Sequence, residues 1–215
     1  MEPPLVEAVR SRVQEFGQYG RPDLSYAALR EATSPEIDLS KPAHRGALHR
    51  WLNAWGCRIR IARTGEIDPF DVAIASWWML QRDSLRAIDR PMVQLSDDEL
   101  RTLGAAYDSL SASTVAYDKA GKARSMGPTA AAKTLYALKP NSVMPWDLAI
   151  AVQLHGARDG AAFTSHLALG RCWAKSLLAE SGLDEPQLVA ELGCPGSSLA
   201  KVLDEYCYVR YTLGH

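Results

Sequence analysis

Apolar side chains recur every three or four residues over most of this chain, which is the spacing of an amphipathic α-helix. The longest such stripe begins after Asp68-Pro69 and stops before Pro91. Asp68 suits the N-cap of that helix, and Pro69 suits its first turn. Shorter stripes predict helices at about 4–17, 44–55, 129–139 and 148–155, after the capping box at 96–99, and along the C-terminal third. The sequence therefore predicts at least eight helices and an all-α fold.

Short segments interrupt this pattern. Cys57 to Arg63 alternates polar and apolar residues, which fits either one short strand or an extended linker. Ser111 to Lys122 is rich in Ser, Ala and Gly, and it is predicted to form a loop. Gly20, Asp23 and Thr64 are assigned to turn or cap positions between predicted helices. The connections are therefore expected to be short, as in a compact helical protein.

The chain around residue 127 combines turn and capping signals. Ser125-Met126-Gly127-Pro128 predicts a tight turn, because Gly127 lacks a side chain and Pro128 is tolerated in a first helical turn. The helix predicted to follow ends at Pro140-Asn141. Asp147 is then expected to be the N-cap of the next helix. An ordinary N-cap contributes ~1 kcal/mol of stability, and that role alone is sufficient to explain Asp147.

Residues 124–152 resemble the helix-hairpin-helix DNA glycosylase superfamily. In that superfamily a Gly-hydrophobic-Gly hairpin opens one helix, and a catalytic aspartate stands at the N-terminus of the next. Here Ser125-Met126-Gly127 takes the place of the hairpin, and Asp147 follows an apolar run as the family aspartate does. Ser125 replaces the first glycine, and Arg124 replaces the usual proline. Thr129 stands where bifunctional members carry their Schiff-base lysine.

The resemblance implies a monofunctional, base-excising hydrolase of the N-glycosylase kind. Asp147 would be its catalytic carboxylate, since hydrolysis of an N-glycosidic bond builds positive charge on the sugar. Backbone N–H groups near Met126 and Gly127 would bind a DNA phosphate. The resemblance also implies that the single helical domain, 1–215, has two lobes around a cleft: a hairpin lobe at about 96–155, and a second lobe from about 1–95 with 156–215.

Charge is unevenly distributed, although the net charge of the 215 residues is only −1. Two windows, 41–63 and 119–139, contain basic residues and no acidic ones. They suit a localised face that binds DNA or another anion, although two solvated basic loops would give the same pattern. The candidate nucleic-acid contacts are Arg58, Arg60, Lys122, Arg124, Ser125, Met126, Gly127 and Lys133. Lys133 is predicted to be a solvated lysine rather than a nucleophile.

Spacing argues against several other kinds of chemistry. The four cysteines fall in no C-x-x-C pair, so we expect no metal site and no cofactor. Reduced thiols and the lack of a long apolar run favour a cytoplasmic protein that does not enter the membrane. His155 and His166 are treated as isolated residues. Trp51 and Trp55, one helical turn apart, are interpreted as core residues rather than as a base-stacking surface.

Three interpretations of function stay open. The protein is a monofunctional or vestigial DNA-glycosylase-like enzyme, a non-catalytic helical module that binds nucleic acid, or a helical protein whose basic windows bind another anion or a protein partner. The position of Asp147 helps to separate them, because a catalyst must face a cleft beside the basic windows, whereas a simple cap need not. The sequence does not indicate an oligomeric state.

Overall fold

The computed structural model describes residues 1–19, 24–63 and 65–214. Within these ranges the chain forms ten α-helices and one short β-hairpin, which confirms the all-α prediction. The helices are α1 (Val6–Tyr19), α2 (Leu24–Ala32), α3 (Pro42–Ala54), α4 (Pro69–Ala87), α5 (Asp97–Ala112), α6 (Pro128–Leu138), α7 (Leu148–His155), α8 (Gly160–Ser181), α9 (Glu185–Glu191) and α10 (Leu199–Cys207). The strands are β1 (Thr114–Tyr117) and β2 (Ala123–Ser125), and short turns of 3₁₀ and π helix cover Met92–Gln94 and Tyr208–Leu213. Gly20, Asp23 and Thr64 lie outside the described residues.

Local capping chemistry sets where several helices begin, as the sequence predicted. The Asp68 carboxylate accepts a backbone N–H from the first turn of α4. Ser96 and Glu99 form the predicted capping box of α5, in which each side chain accepts the backbone N–H of the other residue. Asp147 accepts the N–H of Ile150 at 2.9 Å and so caps α7. These helix starts depend only on residues close together in the chain.

The prediction of a loop at Ser111 to Lys122 is wrong, because these residues form the end of α5 and the first part of a β-hairpin. α5 continues to Ala112, and β1 then pairs antiparallel with β2. Asp118 closes the turn between the strands: its carboxylate accepts the N–H groups of Ala120 and Lys122, both at 2.9 Å. These bonds, chiefly the one from Lys122, lower the pKa of the Asp118 carboxyl. The side chain therefore stabilises a turn that the sequence composition described only as loop.

Gly127 turns the chain from β2 into α6. Its φ is 78°, a left-handed value that glycine adopts without steric strain. Pro128 follows as the first helical residue, as predicted. Ser125 was expected to lie in a tight turn, but it is the last residue of β2. Helices α5 and α6 are thus joined by two paired strands.

Buried apolar side chains form one cluster that extends from α1 to α10. Within it, α5 and α8 approach each other backbone to backbone. A Cβ atom added at Gly104 of α5 would lie 2.9 Å from the carbonyl oxygen of Gly160 and would overlap Thr164 Oγ1. Only glycine leaves room for this approach. The division of the domain into two lobes stays a prediction.

The length and composition of the described helices show whether any of them could cross a membrane. Among residues 1–19, 24–63 and 65–214, no helix combines the length and the apolar composition needed to cross a bilayer. α8 is 22 residues long, but it carries Arg171 and Lys175 within its span.

Replacing Gly104 with alanine should destabilise the fold by ~1–3 kcal/mol, because the new methyl group overpacks the contact between α5 and α8. Thermal or urea unfolding of the purified variant measures this loss. Gly46→Ala is the matched control, since an added Cβ within α3 would meet Arg50 Nη1 at an ordinary 3.6 Å. That substitution should be neutral or stabilise by about 0.5–1 kcal/mol. Equal effects of the two substitutions would contradict this account.

Candidate functional site

Parts of the two basic windows meet at one surface of the folded protein. Residues 57–63, which follow α3, form one wall of a groove, and the β-hairpin forms the other. The volume of this groove is about 640 Å³. We call it the basic groove, and its lining cations are Arg58, Arg60, Arg63, Lys119 and Arg124. Cations from distant parts of the chain are therefore gathered on one face.

The side chain of Asn53 holds Ile59, at the start of the first wall of the basic groove, in place. The N–H of Ile59 donates to Asn53 Oδ1 at 2.7 Å, and Asn53 Nδ2 donates to the Ile59 carbonyl at 2.8 Å. Asn53 thus satisfies the two backbone groups that a neighbouring strand would otherwise bond. Where the structure describes the chain, residues 57–63 pair with no strand, so the linker alternative is correct, although Arg58 has a left-handed φ of 54° and the linker is not extended throughout. Ile59 is buried, and Arg58 and Arg60 on either side of it are exposed.

Positive charge in the basic groove exceeds the negative charge near it. Arg60 pairs with Glu66 at 2.8 Å, and Arg124 pairs with Asp118 at 3.1 Å. In the part of the chain that the structure describes, no carboxylate lies within ion-pairing distance of the remaining cations, Arg58, Arg63 and Lys119. All three are exposed, so their charge is available to a ligand in the groove.

The backbone donors expected to hold a phosphate are already occupied. The N–H of Met126 donates to the carbonyl of Ser113 at 2.8 Å, and the N–H of Gly127 donates to that of Ser111 at 3.0 Å. These bonds fasten the end of β2 to the end of α5, so the expected phosphate contact through the two N–H groups has to be discarded. Met126 is buried at the floor of the basic groove, and Ser125 lies exposed at its edge.

Other members of the windows stabilise the fold or lie apart from the groove. Arg45 is buried and pairs with Asp71 through Nε at 2.7 Å and Nη2 at 2.9 Å. His44 is also buried, and burial lowers its pKa. Lys122 is exposed at the hairpin turn without lining the groove. The first half of window 41–63 is therefore largely structural.

Asp147 faces a second cavity, of about 480 Å³. We call this cavity the aromatic cleft, because rings line it from several elements: Phe16, Trp55, Trp146 and Tyr208. Its charged lining residues are Lys133, Asp147, Lys201 and Asp204. Asp147 is therefore a helix cap that also faces a cleft.

Two donors orient the half-buried Asp147 carboxylate. Oδ1 accepts the N–H of Ile150 at 2.9 Å, and Oδ2 accepts the hydroxyl of Thr212 at 2.6 Å. Thr212 belongs to the C-terminal π-helical turn, which contacts α7. An ionised carboxylate has about four lone-pair sites, so Asp147 retains capacity to accept a further hydrogen bond.

Lys133 lies in the aromatic cleft and not among the arginines of the basic groove. Its Nζ donates to the carbonyl of Trp55 at 2.8 Å and lies 4.9 Å from the centre of a Trp55 ring. The lysine is half-buried rather than solvated, and its charge offsets the carbonyl end of α3. Lys201 approaches the same ring at 5.4 Å and pairs with Asp204 at 2.8 Å. Two ammonium groups therefore contact the Trp55 ring.

Trp51 in α3 and Trp55 at its C-cap have different environments. Trp51 is buried in the core, as the sequence predicted. Trp55 is half-buried, and its ring centre lies 5.0 Å from that of Trp51. Because Trp55 lines the aromatic cleft, the core interpretation is corrected for this residue.

His155 and His166, which the sequence left isolated, lie together. His155 Nε2 is 3.2 Å from His166 Nδ1, and both rings lie beside Trp146. Burial lowers the pKa of both, to about 3 for His166, so the pair is neutral at pH 7 and supports a wall of the cleft. Within the described ranges, no three His, Cys, Asp or Glu side chains group as a metal site requires.

The basic groove and the aromatic cleft are neighbours. Trp55 lines the cleft, and Cys57, two residues later, lines the groove. Burial raises the pKa of the Cys57 thiol, and the nearby charge of Lys133 opposes that shift. The segment Trp55-Gly56-Cys57 is therefore the boundary between the two cavities.

Sequence patterns mark only part of these two sites. Arg63 and Lys119 belong to the basic windows, and their neighbours in the sequence were candidates already. Lys201, Asp204 and Thr212 have no comparable signal, because they reach the cleft only through the packing of α10 and of the C-terminal turn.

Asn53→Ala should destabilise the protein by ~1–3 kcal/mol, because it leaves the N–H of Ile59 without its partner and leaves the Ile59 carbonyl with only the longer contact from His49 Nε2, at 3.3 Å. Chemical unfolding monitored by circular dichroism measures the change. Asn141→Ala is the control, since that exposed side chain has no hydrogen bond within the described residues, and it should stay within about 0.5 kcal/mol. An Asn53→Ala variant as stable as the parent would show that the wall does not depend on this amide.

Comparison of the chain with known protein families, with curated proteins and with solved structures finds no match. The groove and the cleft themselves are therefore the basis for inferring a function.

Proposed function

We propose that the protein binds DNA through the basic groove. The observation that carries the proposal is the meeting of residues 57–63 with the β-hairpin, which brings five cations to one groove. The net charge of the whole chain is −1, so this concentration is local. A localised basic surface on a nearly neutral protein suits a polyanion that is bound at one face.

The electrostatics of the groove fit phosphate contacts rather than base recognition. Three of its cations have no carboxylate partner among the described residues, and all three side chains are exposed. They are Arg58, Arg63 and Lys119. When such cations neutralise phosphates, the counterions that surround the DNA are released, and binding therefore weakens as the salt concentration rises. Phosphate contacts also position a nucleic acid without reading its sequence.

Arg58→Gln with Arg63→Gln should weaken DNA binding and reduce its salt dependence. Fluorescence anisotropy with a labelled oligonucleotide, between about 50 and 200 mM salt, gives the slope of log K against log salt. Loss of two phosphate contacts should reduce that slope by about 1–2. The control is Arg30→Gln with Lys175→Gln, two exposed cations that line neither the groove nor the cleft. It should keep the parent slope.

A failure to bind DNA would contradict this proposal. If neither duplex nor single-stranded DNA binds at a protein concentration on the order of tens of micromolar at low salt, DNA is not the partner. The remaining interpretation is then a non-catalytic helical module whose basic groove binds another anion or an acidic protein.

A second candidate function is base excision in the aromatic cleft. It is favoured by one observation: Asp147 faces this cleft, and the cleft borders the basic groove. Ligand pockets commonly have volumes of about 300–1,000 Å³, and the cleft of about 480 Å³ falls in that range. Aromatic walls suit a base that has left the stack of its strand.

The chemistry would depend on the charge of Asp147. Breaking an N-glycosidic bond leaves positive charge on the sugar, which a nearby carboxylate stabilises while it orients a water. The hydrogen bonds from Ile150 and Thr212 fix the carboxylate and leave acceptor capacity for that water. Thr129 at the start of α6 offers no amine, so the proposed reaction is hydrolysis without a Schiff base.

Asp147→Asn should separate the cap from the catalyst. Asparagine caps helices about as well as aspartate, and the rotatable hydroxyl of Thr212 can accept from its amide, so stability should stay within ~1 kcal/mol of the parent. Loss of the negative charge should abolish release of a modified base from alkylated, deaminated or oxidised DNA. Gel or chromatographic assays of base release, with binding measured in parallel, give both readouts.

The control for this substitution is a second helix cap. Asp159 caps α8 by accepting the N–H of Ala162 at 2.9 Å, and it lines neither the groove nor the cleft. Asp159→Asn should therefore leave both stability and base release unchanged. If Asp147→Asn releases a base as fast as the parent, or if the parent releases none, Asp147 is a cap without a catalytic role.

A further inference from the structure

We infer that the basic groove takes single-stranded DNA, with one base stacked on Tyr117. This inference rests on the proposed function, because it specifies which form of DNA the same groove binds. The features that carry it are an exposed aromatic ring, an apolar floor and cations placed around both.

Tyr117 is an exposed aromatic residue in the lining of the basic groove. It is the last residue of β1 and lines the basic groove, yet 49% of its surface is exposed. Within the described residues, no second aromatic ring stacks on it and no cation lies over it. The four-residue strand otherwise places its apolar side chains Val115 and Ala116 in the interior. An aromatic ring left open in this position offers a flat face to a ligand.

The floor of the groove is apolar beneath a charged rim. Ile59, Val115 and Met126 line it, and all three are buried. The cations stand on the two walls, from residues 57–63 and from the hairpin. Bases that lie inward on this floor would therefore carry their phosphates outward to the cations, as in proteins that bind single strands without reading sequence.

Stacking on Tyr117 requires a base with a free face. In a duplex both faces of each base are covered by its neighbours, and unstacking one of them costs a few kcal/mol. A single strand presents base faces at much lower cost, and aromatic side chains bind them with little sequence preference. The groove volume, about 640 Å³, also has the size of a small-ligand pocket rather than of a surface for a whole double helix.

The test compares a labelled single strand with the duplex of the same sequence, by anisotropy, using the full chain. The single strand should bind more tightly than the duplex. Tyr117→Ala and Tyr117→Leu should each weaken single-strand binding roughly tenfold, because neither side chain can stack on a base. Tyr117→Phe should retain the parent affinity, since it keeps the ring. Leu80→Ala, at a position 77% exposed on α4 and outside the groove, is the control and should change nothing.

The outcomes distinguish this inference from the proposed function. If the duplex binds as tightly as the single strand, or if Tyr117→Ala retains full affinity, the stacking proposal is overturned while DNA binding through the cations stands. If no oligonucleotide binds, both proposals fail. A single-stranded RNA that binds much more tightly than the DNA of the same sequence would overturn the assignment to DNA. Thermal unfolding checks the folding of each variant, and a loss of affinity in Tyr117→Ala and Tyr117→Leu at parental stability assigns the loss to the missing ring.

Discussion

The contact between α5 and α8 is the constraint on which the positions of both cavities depend. Gly104 and Gly160 let the two helix backbones touch, and a side chain at either position would separate them. α5 leads directly into the β-hairpin, which is one wall of the basic groove. α8 packs against α7, whose N-cap Asp147 faces the aromatic cleft. One close helix contact therefore fixes the position of the β-hairpin wall of the groove relative to the Asp147 carboxylate of the cleft.

Local chemistry explains the features that the sequence predicts well. Asp68, Ser96 and Asp147 accept N–H groups from the first turns of their own helices, so their roles follow from neighbouring residues alone. Helical stripes are equally local, since every turn repeats the same spacing. The exposed arginines at 58 and 60 belong to a basic run that is visible in the sequence, but the burial of Ile59 between them depends on Asn53 and not on strand alternation, since Ile61 is exposed.

The remaining features depend on partners that are distant in the chain. Arg45 looks like a surface cation until α3 packs on α4 and brings it to Asp71. The β-hairpin has strands too short for an alternating pattern to be recognised, and it uses the donors of Met126 and Gly127 that a phosphate would need. The groove itself appears only when two separate windows meet, which no single stretch of sequence encodes.

The last turn of α3 fastens both cavities at once. Asn53 holds the wall of the groove through Ile59. Two residues later, the carbonyl of Trp55 accepts a hydrogen bond from Lys133, which lies across the cleft. A ligand that shifts this turn in one cavity therefore changes the geometry of the other. Such coupling is reciprocal: whatever factor an occupant of the groove applies to affinity in the cleft, an occupant of the cleft applies to affinity in the groove. The end of α3 is therefore the element through which occupants of the two cavities would be linked.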